Sequence, residues 1–121
     1  PLVAVTRLFS DQSRRARLLS SLAENAEVVD SPRCAADQYP RIATGGHDVT
    51  LFTRTLPWDH AAGVVFLNEA GGRAARPDGT PYRCDDEREG LIAATTEEAW
   101  DWSARRLAHA GETLTVDVRI A

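Results

Sequence analysis

Methionine is absent from this chain, and cysteine occurs only as Cys34 and Cys84. The two cysteines are far apart and in no metal-ligand spacing, so a cysteine-built metal site is excluded and both are expected as reduced thiols in a cytoplasmic protein. No apolar run approaches the length of a membrane span and no signal peptide opens the chain, so no membrane partner is expected. Excess positive charge is missing too: 14 basic against 18 acidic side chains leave a net charge of −4. With no basic patch interleaved with aromatics, nucleic acid is excluded as a partner. No G-x-G-x-x-G or P-loop follows any predicted strand, which speaks against a small nucleotide-binding domain. Pro1 runs at once into the strand-like LVAVT with no initiator methionine. That start is expected of a segment lying inside a larger coding frame.

What is present is ordinary globular material, 43% apolar and 26% charged over 121 residues. One α/β domain spanning residues 1–121 is expected, burying roughly two thirds of its unfolded surface. Leu2–Thr6 reads as a buried parallel strand, and Ser10 or Asp11 caps a helix running to about Ala26. Arg14, Arg15 and Arg17 read as a solvated face of that helix. Val28 and Val29 form a second strand, and a helix follows from about Ala35 to Thr44, stopped by Gly45 and Gly46. Val49–Thr55 alternates as a strand. A hairpin around Pro77, Asp78 and Gly79 leads to the strand LIAAT, after a solvated acidic run at Asp85–Glu89. Thr95 or Thr96 caps a helix carrying Trp100, Trp102 and Leu107. The tail at 112–121 alternates as an edge strand. Strands alternating with helices predict a mixed, mostly parallel sheet with helices on both faces.

The most informative stretch is PWDHAAGVVFLNEAGG, from Pro57 to Gly72. Pro57 disfavours a helical Leu56, so the preceding strand ends there. Asp59 stands where an N-cap is expected, and Gly71 supplies a left-handed stop. Between them Ala61–Leu67 is apolar on every side, which predicts a buried helix.

PWDHAAG followed by EAGG resembles the C-terminal signature of the inositol monophosphatase family of Mg²⁺-dependent phosphatases. The likeness extends upstream through Cys34, Ala35, Ala36 and the ATGG of Ala43–Gly46, and downstream through Pro77–Pro81 and Leu91–Ala94. It implies the C-terminal half of a layered α/β/α/β/α phosphatase. By resemblance Asp59 is one of the carboxylates that bind catalytic Mg²⁺, in keeping with the hard oxygen ligands that ion prefers. The plain alternative is a capping aspartate worth about 1 kcal/mol. Trp58 either walls the site or is a core aromatic, and His60 is either a substrate contact or a surface histidine. Ala35 matches a residue whose backbone N–H meets a substrate hydroxyl, beside Cys34. Arg33 departs from the family's glycine and offers an anion contact instead. Phe52 replaces the glutamate of inositol-specific members. Arg54 is expected on the same side of the strand, reading a second anionic group or capping a solvated strand end. His47 and His109 have no ligand partners at sensible spacing. Glu69 lies about 15 Å along the helix from Asp59, too far to share an ion.

The family's remaining metal ligands come from a glutamate and an aspartate-rich D-P-[IL]-D-[GS]-[ST] stretch, and no such stretch occurs here. Phosphomonoester hydrolysis needs accelerations of up to about 10²¹-fold, which rest on metal ions. The resemblance therefore implies a substrate- and metal-facing lobe that is inactive alone, acting on a small phosphorylated metabolite beside an absent N-terminal lobe. A homodimer is expected from the family pattern. The competing expectation is a non-catalytic scaffold that kept the fold.

Overall fold

Short β-branched and alanine-rich segments build the sheet, and longer segments with apolar positions three and four apart build the helices around it. A computed structural model describes residues 2–5, 12–24, 26–30, 35–86 and 88–109. Its elements are β1 (Leu2–Val5), α1 (Gln12–Ala23), β2 (Glu27–Asp30), α2 (Ala35–Ala43), β3 (Val49–Phe52), α3 (Pro57–Glu69), β4 (Arg73–Ala75), β5 (Leu91–Ala94) and α4 (Glu97–His109). The strands form one five-stranded sheet in the order β2-β1-β3-β5-β4. β1 pairs in parallel with β2 and β3, whereas β5 is antiparallel to both β3 and β4. Four strands thus share a direction and only β5 is reversed, which matches the expected mixed, mostly parallel sheet.

Alternation along each strand divides the interior into two cores. Val3, Val5, Val49, Leu51, Ile92 and Ala94 face α1 and α4, meeting Leu18, Leu22, Trp100 and Leu107. Phe52, Ala74, Leu91 and Ala93 face α2 and α3, meeting Tyr39, Ile42, Val64 and Leu67. Helices therefore cover both faces, and the inner strands are buried on both sides. Trp100 joins the first core with its polar atom satisfied, Nε1 donating to the Ile92 carbonyl at 3.0 Å. The α4 start is as the sequence predicts: Thr96 Oγ1 accepts from the Ala99 N–H at 3.1 Å, an N-cap bond.

Several boundaries differ from expectation. α1 ends at Ala23, not Ala26, and β3 ends at Phe52, not Thr55. The Thr53 carbonyl instead accepts from Gly90 N–H at 2.6 Å, tying the chain to the loop before β5. The turn at Pro77–Gly79 is present, closed by Gly79 N–H on the Arg76 carbonyl at 2.8 Å. The strand LIAAT expected after it is present as β5, reached through a loop from 76 to 90. The strand absent from the expectation is its partner β4, a short segment unmarked by β-branched residues. The tail at 112–121 and the cap residues Ser10 and Asp11 lie outside the described residues.

Candidate functional site

α2 and α3 both follow strands of the shared direction and run back across one face of the sheet, so their N-termini lie at the carboxyl ends of those strands. Ligands of open α/β sheets bind at that edge. It gathers Ala35, the first residue of α2, and Trp58, Asp59 and His60 in the first turn of α3. Arg33 and Cys34 lie outside the described residues.

The start of α3 corrects the capping expectation. Leu56, extended at φ −62 and ψ 137, is the N-cap, and no side chain caps it. Pro57 takes the first helical position, which its fixed φ and missing N–H suit. Asp59 therefore stands inside the first turn, where its charge opposes the helix dipole favourably. The Leu56 carbonyl accepts from Asp59 N–H at 3.0 Å and His60 N–H at 3.1 Å. Asp59 is exposed, and among the described residues no hydrogen bond or ion pair engages its carboxylate. The far end of α3 follows the prediction, with Gly71 at φ +94 and Gly72 N–H returning to the Leu67 carbonyl at 3.0 Å.

α3 is not buried all round. His60, Val64 and Leu67 face inward, but Trp58 is 78% exposed, Val65 63% and Phe66 47%. The helix packs with one side only, and its opposite apolar face is uncovered among the described residues. Trp58 is thus no core aromatic of this chain.

His60 is the larger correction, since it is buried and not on the surface. Its Nδ1 lies 2.7 Å from the Tyr39 hydroxyl. Phe52 packs edge-on against His60 with ring centres 4.7 Å apart and stacks on Tyr39 at 5.4 Å. The i, i+4, i+7 spacing of His60, Val64 and Leu67 was the available signal, but it was obscured by apolar residues on every side of the helix. Burial pushes the His60 imidazole down to about 4, with the Asp59 charge opposing that shift and the Arg76 charge adding to it. Burial drives the Tyr39 phenol upward, so both groups are neutral near pH 7. Phe52 accordingly belongs to the α2–α3 core. Arg54 is exposed beyond the end of β3, so strand alternation does not set its direction.

Gln38 and Arg76 are buried polar residues that the sequence reading missed. Gln38 Nε2 contacts Thr50 Oγ1 at 2.5 Å and His47 Nδ1 at 2.6 Å, giving His47 a structural partner. Asp86, expected in a solvated loop, accepts from Arg76 Nη2 at 2.9 Å. The apolar residues around them carried no sign that a charge would be enclosed. Cys84 is an exposed free thiol.

The fit to a metal is partial. Asp59 offers an exposed, unpaired hard-oxygen donor, yet no three His, Cys, Asp or Glu side chains assemble around an ion among the described residues. These residues supply one ligand and not a complete site. No described helix is long and apolar enough to cross a membrane.

Comparison with known proteins gives a consistent result. The model of the inositol monophosphatase family matches residues 3–113. Inositol-1-monophosphatase of Bacillus subtilis (strain 168) is 31% identical over 83 residues, covering 67% of this chain and 31% of its own length. An uncharacterized protein in the pss 5′ region of Rhizobium leguminosarum bv. phaseoli is 48% identical over 46 residues, 38% of each chain. The solved inositol monophosphatase of Anabaena (Nostoc) sp. PCC 7120 superposes with a TM-score of 0.69 at 26% identity, covering 89% of this chain and 43% of that one. The chain therefore spans less than half the length of these relatives. With its sequence matched over residues 3–113 and its sheet and helices superposing on a solved member, this chain belongs to the inositol monophosphatase family.

Proposed function

We propose that this chain is the substrate- and metal-facing lobe of a Mg²⁺-dependent phosphatase for a small phosphomonoester: an inositol phosphate, a sugar phosphate or a nucleotide 3′-phosphate. The observation that carries this reading is Asp59, an exposed carboxylate without a partner among the described residues, at a helix N-terminus on the carboxyl edge of the sheet. A carboxylate kept there only for the helix would add a few tenths of a kcal/mol to about 1 kcal/mol. Bound Mg²⁺ would supply charge stabilisation and an activated water. Asp59 provides one of its ligands, and the others come from chain beyond these residues. Alone, these 121 residues bind Mg²⁺ weakly and turn over little.

Around Asp59 the chain excludes water on the inner side, through buried His60, Phe52 and Tyr39. The dipoles at the N-termini of α2 and α3 favour an anion in front of them, although at α3 Pro57 has no N–H and those of Asp59 and His60 are taken by the Leu56 carbonyl. Phe52 is turned into the core and presents no acceptor for a sugar hydroxyl, which argues against myo-inositol itself as the preferred substrate. The uncovered face of α3 is the packing surface for the N-terminal lobe, and the assembled protein is a homodimer in the cytoplasm.

A scaffold without activity is the second reading. It is favoured by the same exposed apolar face at Trp58, Val65 and Phe66, which any partner of matching shape would cover.

Phosphate release with added Mg²⁺, from a panel of phosphomonoesters, tests the choice on this chain and on the native gene product purified from its source. Activity in the native product that Asp59→Asn abolishes, with none in the 121-residue chain, supports the catalytic lobe. A folded native product that releases no phosphate and binds no Mg²⁺ leaves the scaffold.

A further inference from the structure

Arg76 follows β4 directly and is fully enclosed by protein. Its Nη1 donates to Thr55 Oγ1 at 2.8 Å and to the Gly90 carbonyl at 3.0 Å, while Nη2 donates to Asp86 Oδ1 at 2.9 Å. The guanidinium lies 4.8 Å from the Tyr82 ring centre, and the Tyr82 hydroxyl donates to the Thr55 carbonyl at 3.1 Å. Arg76 and Tyr82 thus hold the same residue, one by its side chain and one by its backbone.

Thr55 belongs to no helix or strand. It sits between the end of β3 at Phe52 and the start of α3 at Pro57. Its neighbour Leu56 supplies the carbonyl that accepts both the Asp59 and the His60 N–H. Whatever fixes Thr55 therefore fixes the point from which the first turn of α3 departs. A buried ion pair is a poor device for general stability, since apolar replacements are often as good. A lysine could pair with Asp86, but only a planar fork reaches Asp86, Gly90 and Thr55 together.

We propose that Arg76 is a positioning residue of the candidate site, acting through Thr55 to set the direction in which the first turn of α3 presents Trp58 and Asp59. Its consequence for catalysis rests on the phosphatase reading; its consequence for the helix does not.

Amide hydrogen exchange on the chain carrying Thr55→Val or Arg76→Lys separates positioning from general support. Thr55→Val keeps the side-chain shape and the Arg76–Asp86 pair while deleting the hydroxyl that accepts from Arg76 and donates to the Arg88 carbonyl at 3.3 Å, and Arg76→Lys leaves that second bond in place. In both variants exchange at the Asp59 and His60 amides speeds at least about tenfold, while the Trp100 amide in α4 stays within about twofold. Acceleration of all three together makes Arg76 a general stabiliser, and unchanged rates deny the coupling; either overturns the proposal. In the native gene product Thr55→Val lowers kcat for Mg²⁺-dependent phosphate release several-fold with KM nearly constant. Loosened exchange with an unchanged kcat also overturns it. If the unaltered native product releases no phosphate, the phosphatase reading fails and the exchange rates alone decide the positioning.

Discussion

The hydroxyl of Tyr39 on α2 and Nδ1 of His60 on α3 lie 2.7 Å apart, and both side chains are buried. This contact joins the two helices just inside the turn that presents Asp59. It also puts a titratable base where its charged form is poorly solvated.

Stability should therefore fall in acid through His60. Its folded value of about 4 lies below the ordinary 6.5, so between those limits the unfolded chain binds the extra proton. Stability is fully present above about pH 6.5, declines as pH falls toward 4, and changes no further through this group below that. The loss is of order 3 kcal/mol. Urea unfolding at several pH values checks it: His60→Phe should flatten the profile across that window, and an unaltered slope would assign the dependence to other groups.

Gly63→Ala should destabilise the α2–α3 contact. A Cβ built there lies 2.3 Å from Cδ2 of the Tyr39 ring, closer than real contacts allow. Overpacking of this kind costs about 1–3 kcal/mol. Denaturant midpoints measure the loss, and Tyr39→Leu in the same chain should restore part of it. Additive losses would mean that the ring does not set the constraint.

Asp86→Ala should be among the most damaging changes in the loop before β5. It leaves the guanidinium of Arg76, itself 1% exposed, without its counter-charge. Breaking such a pair costs about 3–5 kcal/mol, whereas replacing both partners by apolar residues is far milder. Thermal melts of Asp86→Ala and of Arg76→Met with Asp86→Leu make the comparison. A double variant no better than the single one would contradict the buried-charge account.

Val65→Ser with Phe66→Gln should cost no more than about 1–2 kcal/mol, because Val65 is largely and Phe66 about half exposed in this chain. Self-association of the isolated chain should decrease, since less apolar surface is left open. Sedimentation velocity across a concentration series reports this. A large drop in melting temperature would show that the face is already covered.

The sequence made the sheet legible because its signals were local. β-branched strands, the Pro57 start, the Gly71 stop and the Thr96 cap each act within a few residues. The harder features depend on contacts that no local pattern reveals. His60 looked peripheral because its buried stripe, with Val64 and Leu67, is masked by the apolar outer stripe of the same helix. Arg76 went unmarked because its partners, Thr55, Asp86 and Gly90, approach from separate segments. β4 was missed because its three residues, Arg73–Ala75, carry no strand preference of their own. Asp59 was recognisable as a candidate from the surrounding motif, while its place in the turn depended on Pro57 taking the first position.

The reversed strand β5 also sets an order of assembly. Among the described residues β4 has β5 as its sole strand neighbour, and β5 lies between it and β3. As the chain emerges from the ribosome, the outer edge of β3 and all of β4 must wait, unpaired, for the segment ending at Ala94. Open strand edges invite pairing with other chains. A nascent or truncated product that stops before Leu91 is therefore the aggregation-prone species, and insertion of those four residues closes both edges in one step.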